Sequence, residues 1–344
     1  MAGPDREKGG DLSPDFLSFI APGSNRPAAL GKILENRGIP YQIVSLGSKR
    51  HLISRLGPGE PRIILSAHYD RVAGSPGLLD NSLACLELAE FAARLLHGLQ
   101  FKTCPPEYGK TCPPAGPHAQ TAARFSPGSP GAGAGLCAAV EGLFILFTDG
   151  EEAPAKEGPL SQGAYTLARA LKTALGTGLE GLEGILVFDM TGRGEQLLLS
   201  RAPALVLEKH GQAGEQRGQV SRLAARLGGL ELLCGRAARG AGIAKPLRLP
   251  LPWSDDLGFM LGGLPALNVS LLPRDEALAY GRFCAARPAA QILGAPLRGE
   301  AGAAWPLTWD YMHSPADDLP LLDWKAVGLM ARFLDSLLPL LPRG

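Results

Sequence analysis

The sequence predicts an α/β fold, a sheet buried between helices with its site at the carboxyl ends of the strands. Three observations carry this. Residues 62–67, 144–148 and 184–188 are apolar runs of strand length without regular polar alternation, the pattern of strands buried on both faces. Each run stops at side chains that hold metals or move protons: His68-Tyr69-Asp70, then Glu151-Glu152 just past Thr148, then Asp189. Segments of helical periodicity separate the runs. Open α/β sheets bind ligands beyond the carboxyl ends of their strands, so three such endings point to chemistry more than to scattered surface acids.

Composition excludes several classes. The 344 residues suffice for a large core, and an apolar share of 45% with a charged share of 19% describes a soluble globular chain. A net charge of +1 gives no electrostatic reason to expect a nucleic-acid or acidic-membrane partner. No apolar run reaches the roughly 18 residues of a membrane span. Residues 1–11 are polar and of mixed charge, without the apolar centre of a secretory signal, so a cytoplasmic location is expected. Six cysteines, mostly isolated, agree with reduced thiols.

In chain order, residues 15–38 read as helix, broken at Pro22-Gly23-Ser24, restarted near Asn25 with Pro27 in its first turn, and closed by Gly38. Residues 41–46 and 52–56 alternate as strands, and Gly57-Pro58-Gly59 turns the chain into the first buried run. Asp80-Asn81-Ser82 precedes a helix carrying Leu83, Leu86, Leu88, Leu95 and Leu96; on local grounds Asp80 is a helix cap or a ligand. Residues 98–140, rich in proline, glycine and small polar residues, read as an insertion rather than a second domain. Cys104, Cys112, His118 and Cys137 within it match no paired-cysteine zinc pattern.

Past the acidic pair, residues 157–172 form a loop feeding an amphipathic helix. Residues 197–200 and 204–207 are expected as short strands and 215–227 as a helix. Trp253-Ser254-Asp255-Asp256 is expected in a loop before an apolar segment, residues 265–269 return as a strand, and residues 273–308 have no assignment. Residues 311–318 form a loop, and Asp323 caps a helix whose Val327, Met330, Leu334, Leu337 and Leu341 make one apolar stripe.

His68, Asp80, Glu152, Asp189 and His313 together supply two imidazoles and three carboxylates, a set that suits zinc. Two ions sharing a carboxylate would use all five and leave Glu151 free as a base. Amide hydrolysis at neutral pH needs a nucleophile stronger than water, and zinc lowers the pKa of its bound water to about 7.

The ordered motifs His68-Tyr69-Asp70, Asp80-Asn81, Asp149-Gly150-Glu151-Glu152, Phe188-Asp189-Met190 and His313-Ser314-Pro315-Ala316-Asp317 resemble those of the di-zinc exopeptidase family of bacterial leucine aminopeptidases, glutamate carboxypeptidases and glutaminyl cyclases. The similarity runs from about residue 60 to the C-terminus. It implies a three-layer α/β/α sandwich with a mixed, mostly parallel sheet, and one catalytic domain over 1–344 interrupted by the insertion at about 98–140. His68 and Asp189 would bind one zinc, Glu152 and His313 the other, and Asp80 would bridge, across a cis peptide to Asn81. Glu151 would be general base and acid, Asp70 would orient His68, and Asp255 and Asp256 would lie near the substrate.

The implied function is zinc-dependent hydrolysis of an N-terminal peptide bond in a peptide or amino-acyl substrate. The alternative is glutaminyl-peptide cyclisation with one zinc. Against the cyclase, the tryptophans that branch carries after its Glu-Glu pair and before its last histidine are absent, with Lys156 and Met312 in those neighbourhoods. Leu79 before Asp80 and Leu83-Ala84 after Ser82 also depart from the family pattern. A non-catalytic binding module would have lost ligands, whereas every ligand type is present.

Overall fold

Alternate residues of the central strands enter opposite cores, which makes the architecture three-layered. The computed structural model describes residues 12–103, 140–152, 158–210, 217–287 and 301–341. In β3 (Ile63–His68), Ile63, Leu65 and Ala67 join one core and Ile64 the other. In β4 (Leu143–Thr148), Ile145 and Phe147 take the first side, Phe144 and Leu146 the second. In β5 (Gly184–Phe188), Leu186 and Phe188 oppose Ile185 and Val187. Every residue of these three strands is buried, as their unbroken apolar runs require.

The strands β1 (Gln42–Leu46), β2 (Lys49–Arg55), β6 (Gln196–Ser200), β7 (Leu247–Leu249) and β8 (Ala266–Leu272) complete an eight-stranded sheet of order β1-β2-β4-β3-β5-β8-β6-β7. It is mixed and mostly parallel: β4, β3, β5 and β8 run parallel, while β2 against β4 and β6 against β8 are antiparallel. The first core is covered by α1 (Pro14–Ile20), α2 (Arg26–Asn36), α3 (Leu83–Thr103), the longer part of α6 (Arg217–Gly240) and α10 (Trp324–Leu337). The second is covered by α4 (Gly163–Leu175), α5 (Ala202–His210) and α7 (Asp255–Leu261). A third, smaller core joins the β6–β7 edge to α8 (Arg274–Ala285) and α9 (Leu307–Asp310) through Tyr280 and Trp309, whose rings meet edge to face at 4.8 Å.

Several elements differ from expectation. Lys49 pairs with Leu46 across a two-residue turn in which Gly47 has φ +64°, so β2 starts earlier than its apolar alternation suggests. Residues 204–207 are helical within α5, where Pro203 sits in the first turn; a short apolar run cannot by itself separate helix from strand. The expected loop at Asp255-Asp256 is the first turn of α7 with Ser254 as its N-cap residue. The unassigned stretch contains α8 and α9. α3 runs on to Thr103, into the expected insertion, and the rest of that insertion, with Cys104, Cys112, His118 and Cys137, lies outside the described residues. Among the described residues no helix is long and apolar enough to cross a membrane.

Candidate active site

Parallel pairing brings the reactive side chains together. β4, β3 and β5 are neighbours, with His68 in register with Thr148, so His68, the 149–152 loop and Asp189 leave the sheet at one edge. Strands spaced about 4.8 Å apart put such endings within reach of one small ion. Asp80 comes from the turn leading into α3, and the peptide bond between Asp80 and Asn81 is cis. Asn81 Nδ2 donates to the Phe188 carbonyl at 2.7 Å, tying this turn to the end of β5. His313 lies on the loop after α9 with φ +59°.

One buried carboxylate joins the last two pieces. Asp317, fully buried, accepts from the backbone N–H of Leu79 at 2.7 Å and of Asp80 at 3.2 Å. The loop carrying His313 therefore holds the turn carrying Asp80, across more than two hundred residues of chain. Burial raises the Asp317 pKa to about 7.

The resulting geometry is close. His68 Nε2 lies 3.3 Å from Asp80 Oδ1 and 3.7 Å from Asp189 Oδ1. His313 Nε2 lies 3.3 Å from Asp80 Oδ2 and 3.1 Å from Glu152 Oε2. Asp80 thus presents one oxygen to each histidine, and His68/Asp80/Asp189 and Asp80/Glu152/His313 form two ligand groups sharing it. Asp70 Oδ1 is 3.6 Å from His68 Nδ1, and the two Asp70 oxygens accept from the backbone N–H groups of Glu151 and Glu152 at 3.2 and 3.0 Å. Glu151 accepts a hydrogen bond from Gln162 Nε2 at 3.1 Å.

The set fits a divalent metal. His68 Nε2, Glu152 Oε1 and Asp189 Oδ1 are buried without a hydrogen bond, an arrangement that is costly unless another partner takes their lone pairs. Donors around tetrahedral zinc, with bonds of about 2.0–2.2 Å, lie about 3.3–3.6 Å apart. The gaps of 3.1 to 3.7 Å around Asp80 and the two histidines are of that size. Asp80, Glu151, Glu152 and Asp189 line one cleft, and no Lys or Arg is among its described lining residues, so the acid excess favours a cation.

Titration follows the same charges. Burial opposes charge on His68, but Asp189, Asp70 and Asp80 hold its pKa well above the ordinary value. Burial likewise opposes ionisation of Asp80, yet His313 and His68 hold its carboxyl below the usual range. Asp80 and Glu152 raise His313 to about 10. For Glu151, burial is the largest effect and, with the charges of Glu152, Asp255 and Asp189, raises its pKa well above a free glutamate against the pull of His68.

Asp255 and Asp256 occupy a different place from the substrate-facing one expected. Both are at most 1% exposed, and neither lines the cleft. Asp255 accepts from the Thr148 hydroxyl, and Asp256 caps the Leu257 N–H at 2.9 Å. Burial raises them to about 7 and about 8. Leu251, Trp253, Trp309, Met312 and Asn268 also line the cleft. Of the residues found only in the structure, Asp317 stands inside a motif already quoted, whereas Gln162 and Asn268 carry no local sequence signal.

No protein-family model matches the chain, and no curated protein matches it. Solved structures do. A Zn-dependent exopeptidase from Parabacteroides distasonis is similar with a TM-score of 0.55 at 14% identity over 94% of each chain. The glutaminyl cyclase of Macrostomum lignano gives 0.54 at 15% identity, over 95% of this chain and 88% of the cyclase. An aminopeptidase from Aneurinibacillus sp. strain AM-1 gives 0.46 at 14% identity, and the chain spans about half, 48%, of its length. At such identities the likeness is one of fold: the chain has the α/β fold of the zinc exopeptidases and glutaminyl cyclases that are its structural neighbours.

Proposed function

We propose that the protein is a zinc-dependent exopeptidase that hydrolyses an N-terminal peptide bond. The observation that carries the reading is the sharing of Asp80 between His68 and His313, with Asp189 and Glu152 completing two ligand groups and Glu151 beside them on the cleft wall. His68, Asp80, Asp189, Glu152 and His313 are the residues that would hold zinc, His68 and Asp189 on one side of Asp80 and Glu152 and His313 on the other. Zinc bound there supplies the positive charge that acidifies water and polarises an amide carbonyl.

The chain's own groups do the rest. Glu151 takes a proton from the attacking water as the new carbon–oxygen bond forms, then delivers it to the amide nitrogen as the carbon–nitrogen bond breaks, leaving a carboxylic acid and an amine. Asp70 orients His68 through Nδ1 and fixes the backbone of the Glu-Glu pair.

Cyclisation of an N-terminal glutaminyl residue is the second reading, and one observation favours it. Trp253 and Trp309 line the cleft, supplying an aromatic wall from positions other than those where the cyclase branch carries its tryptophans. Zinc analysis of protein purified without chelator, with parallel assays on a leucyl anilide and a glutaminyl peptide, separates the two. Turnover of the anilide supports the peptidase, cyclisation alone supports the cyclase, and absence of bound zinc and of both activities removes both.

A further inference from the structure

We propose that Gln162 is a positioning residue that aims Glu151 at the reacting atoms; the inference rests on the role of Glu151 given above. Gln162 is 6% exposed, immediately precedes α4, and donates through Nε2 to Glu151 Oε1 at 3.1 Å. With one carboxylate oxygen held in this way, the other is left for the proton. The reverse amide orientation would set a carbonyl oxygen against a carboxylate oxygen, so the donor must face Glu151.

The anchor is itself anchored. Lys49 Nζ donates to the carbonyl of Ser161, and the Gly163 N–H donates to the Gly150 carbonyl at 2.9 Å, so the residues on either side of Gln162 are tied to β2 and to the loop carrying Glu151. Gly258 of α7 lets the amide fit: a Cβ there would lie 3.2 Å from Gln162 Oε1 and 2.9 Å from Ala164 Cβ. Gln162 Oε1 is buried without a partner. That unpaired oxygen is a burden that a purely structural residue would shed by becoming apolar, and it is offset here by the bond to Glu151.

The test is a double-mutant cycle on whichever of the two substrates the protein turns over, with zinc content measured for each variant. Gln162→Met, of similar length but without a donor, should lower kcat about tenfold to a hundredfold. KM should stay within about twofold and zinc content should be unchanged. In a Glu151→Gln background the same change should remove less than about twofold more, because its effect passes through Glu151. Equal losses in both backgrounds, or no loss in either, would overturn the proposal while leaving Glu151 as the base. Full activity of Glu151→Gln alone would remove the assignment of the base and this inference together. A readout independent of turnover is the crystal structure of Gln162→Met, where Glu151 should leave its present rotamer; its retention there would also overturn the proposal.

Discussion

Glu151 and Glu152 share a peptide bond, yet one faces Gln162 and the other His313. Their neutral variants should therefore fail differently. Glu151→Gln should keep the zinc content and lose about 10² to 10⁴ in turnover, since the proton shuttle is removed from an intact ligand set. Glu152→Gln should lose metal affinity first, because an amide replaces an anionic ligand; zinc titration with metal analysis distinguishes the two, and exchanged outcomes would exchange the roles. His51 shows a second residue-scale effect. It is fully buried, its Nδ1 accepts from the Asp149 N–H at 3.3 Å, and burial, then Lys49, lowers its pKa from 6.5 to about 4. Between those values the unfolded chain binds a proton that the folded chain refuses. Stability contributed by the neutral ring is thus present above pH 6.5 and is lost as pH falls towards 4, by about 3 kcal/mol in all. Urea unfolding of His51→Asn at pH 7 and 4.5 should show a smaller loss than wild type, and an identical loss would refute the assignment.

At the scale of elements, glycines set how closely helices approach the site loop and the sheet. A Cβ on Gly163 would lie 1.7 Å from the Asp149 carbonyl oxygen, a backbone atom that cannot step aside. A Cβ on Gly184 would meet Leu230 Cδ1 at 2.5 Å, the end of a side chain that can rotate. Gly163→Ala should accordingly cost about 3 kcal/mol or more and depress turnover by displacing α4 from the Glu151 loop, while Gly184→Ala should cost about 1 kcal/mol. Denaturant midpoints and kcat for both variants check the ordering. Elements also show where sequence patterns stop being informative. The central strands were legible because burial on both faces leaves an uninterrupted apolar run. α5 was not, since four apolar residues satisfy either period, and α8 was not, since its buried Ala277, Tyr280, Phe283 and Cys284 face a small side core rather than the main sheet.

For the whole molecule, the proposed ligands come from distant stretches of sequence, so metal binding would be linked to folding. Zinc that binds only the native arrangement stabilises it by about 4 kcal/mol at a thousand times its dissociation constant. Added zinc should raise Tm and a chelator should reverse the rise. His313→Ala should shrink that increment and also lower the Tm of chelated protein at neutral pH, because without the metal the protonated ring pairs with the buried Asp80 and Glu152 carboxylates. A zinc-independent Tm would contradict the metal reading.

The sequence by itself determined the α/β class and the central strands, because burial on both faces is written in residue type and order, and it put His68, Glu151, Glu152 and Asp189 at or just past the ends of three of them. The cis bond at Asp80-Asn81, which only the family resemblance implied, is present in the structure. Tertiary structure alone decided which groups meet. Asp317 holding the Asp80 turn, and tryptophans reaching the cleft from Trp253 and Trp309, bring together segments far apart in the chain, and Gln162 meets Glu151 only because α4 packs back on the loop before it. It also buried Asp255 and Asp256, expected near the substrate: once 255–261 coils into a helix on the sheet, neither carboxylate lines the cleft. Such pairings depend on strand order and helix rotation, and local sequence encodes neither.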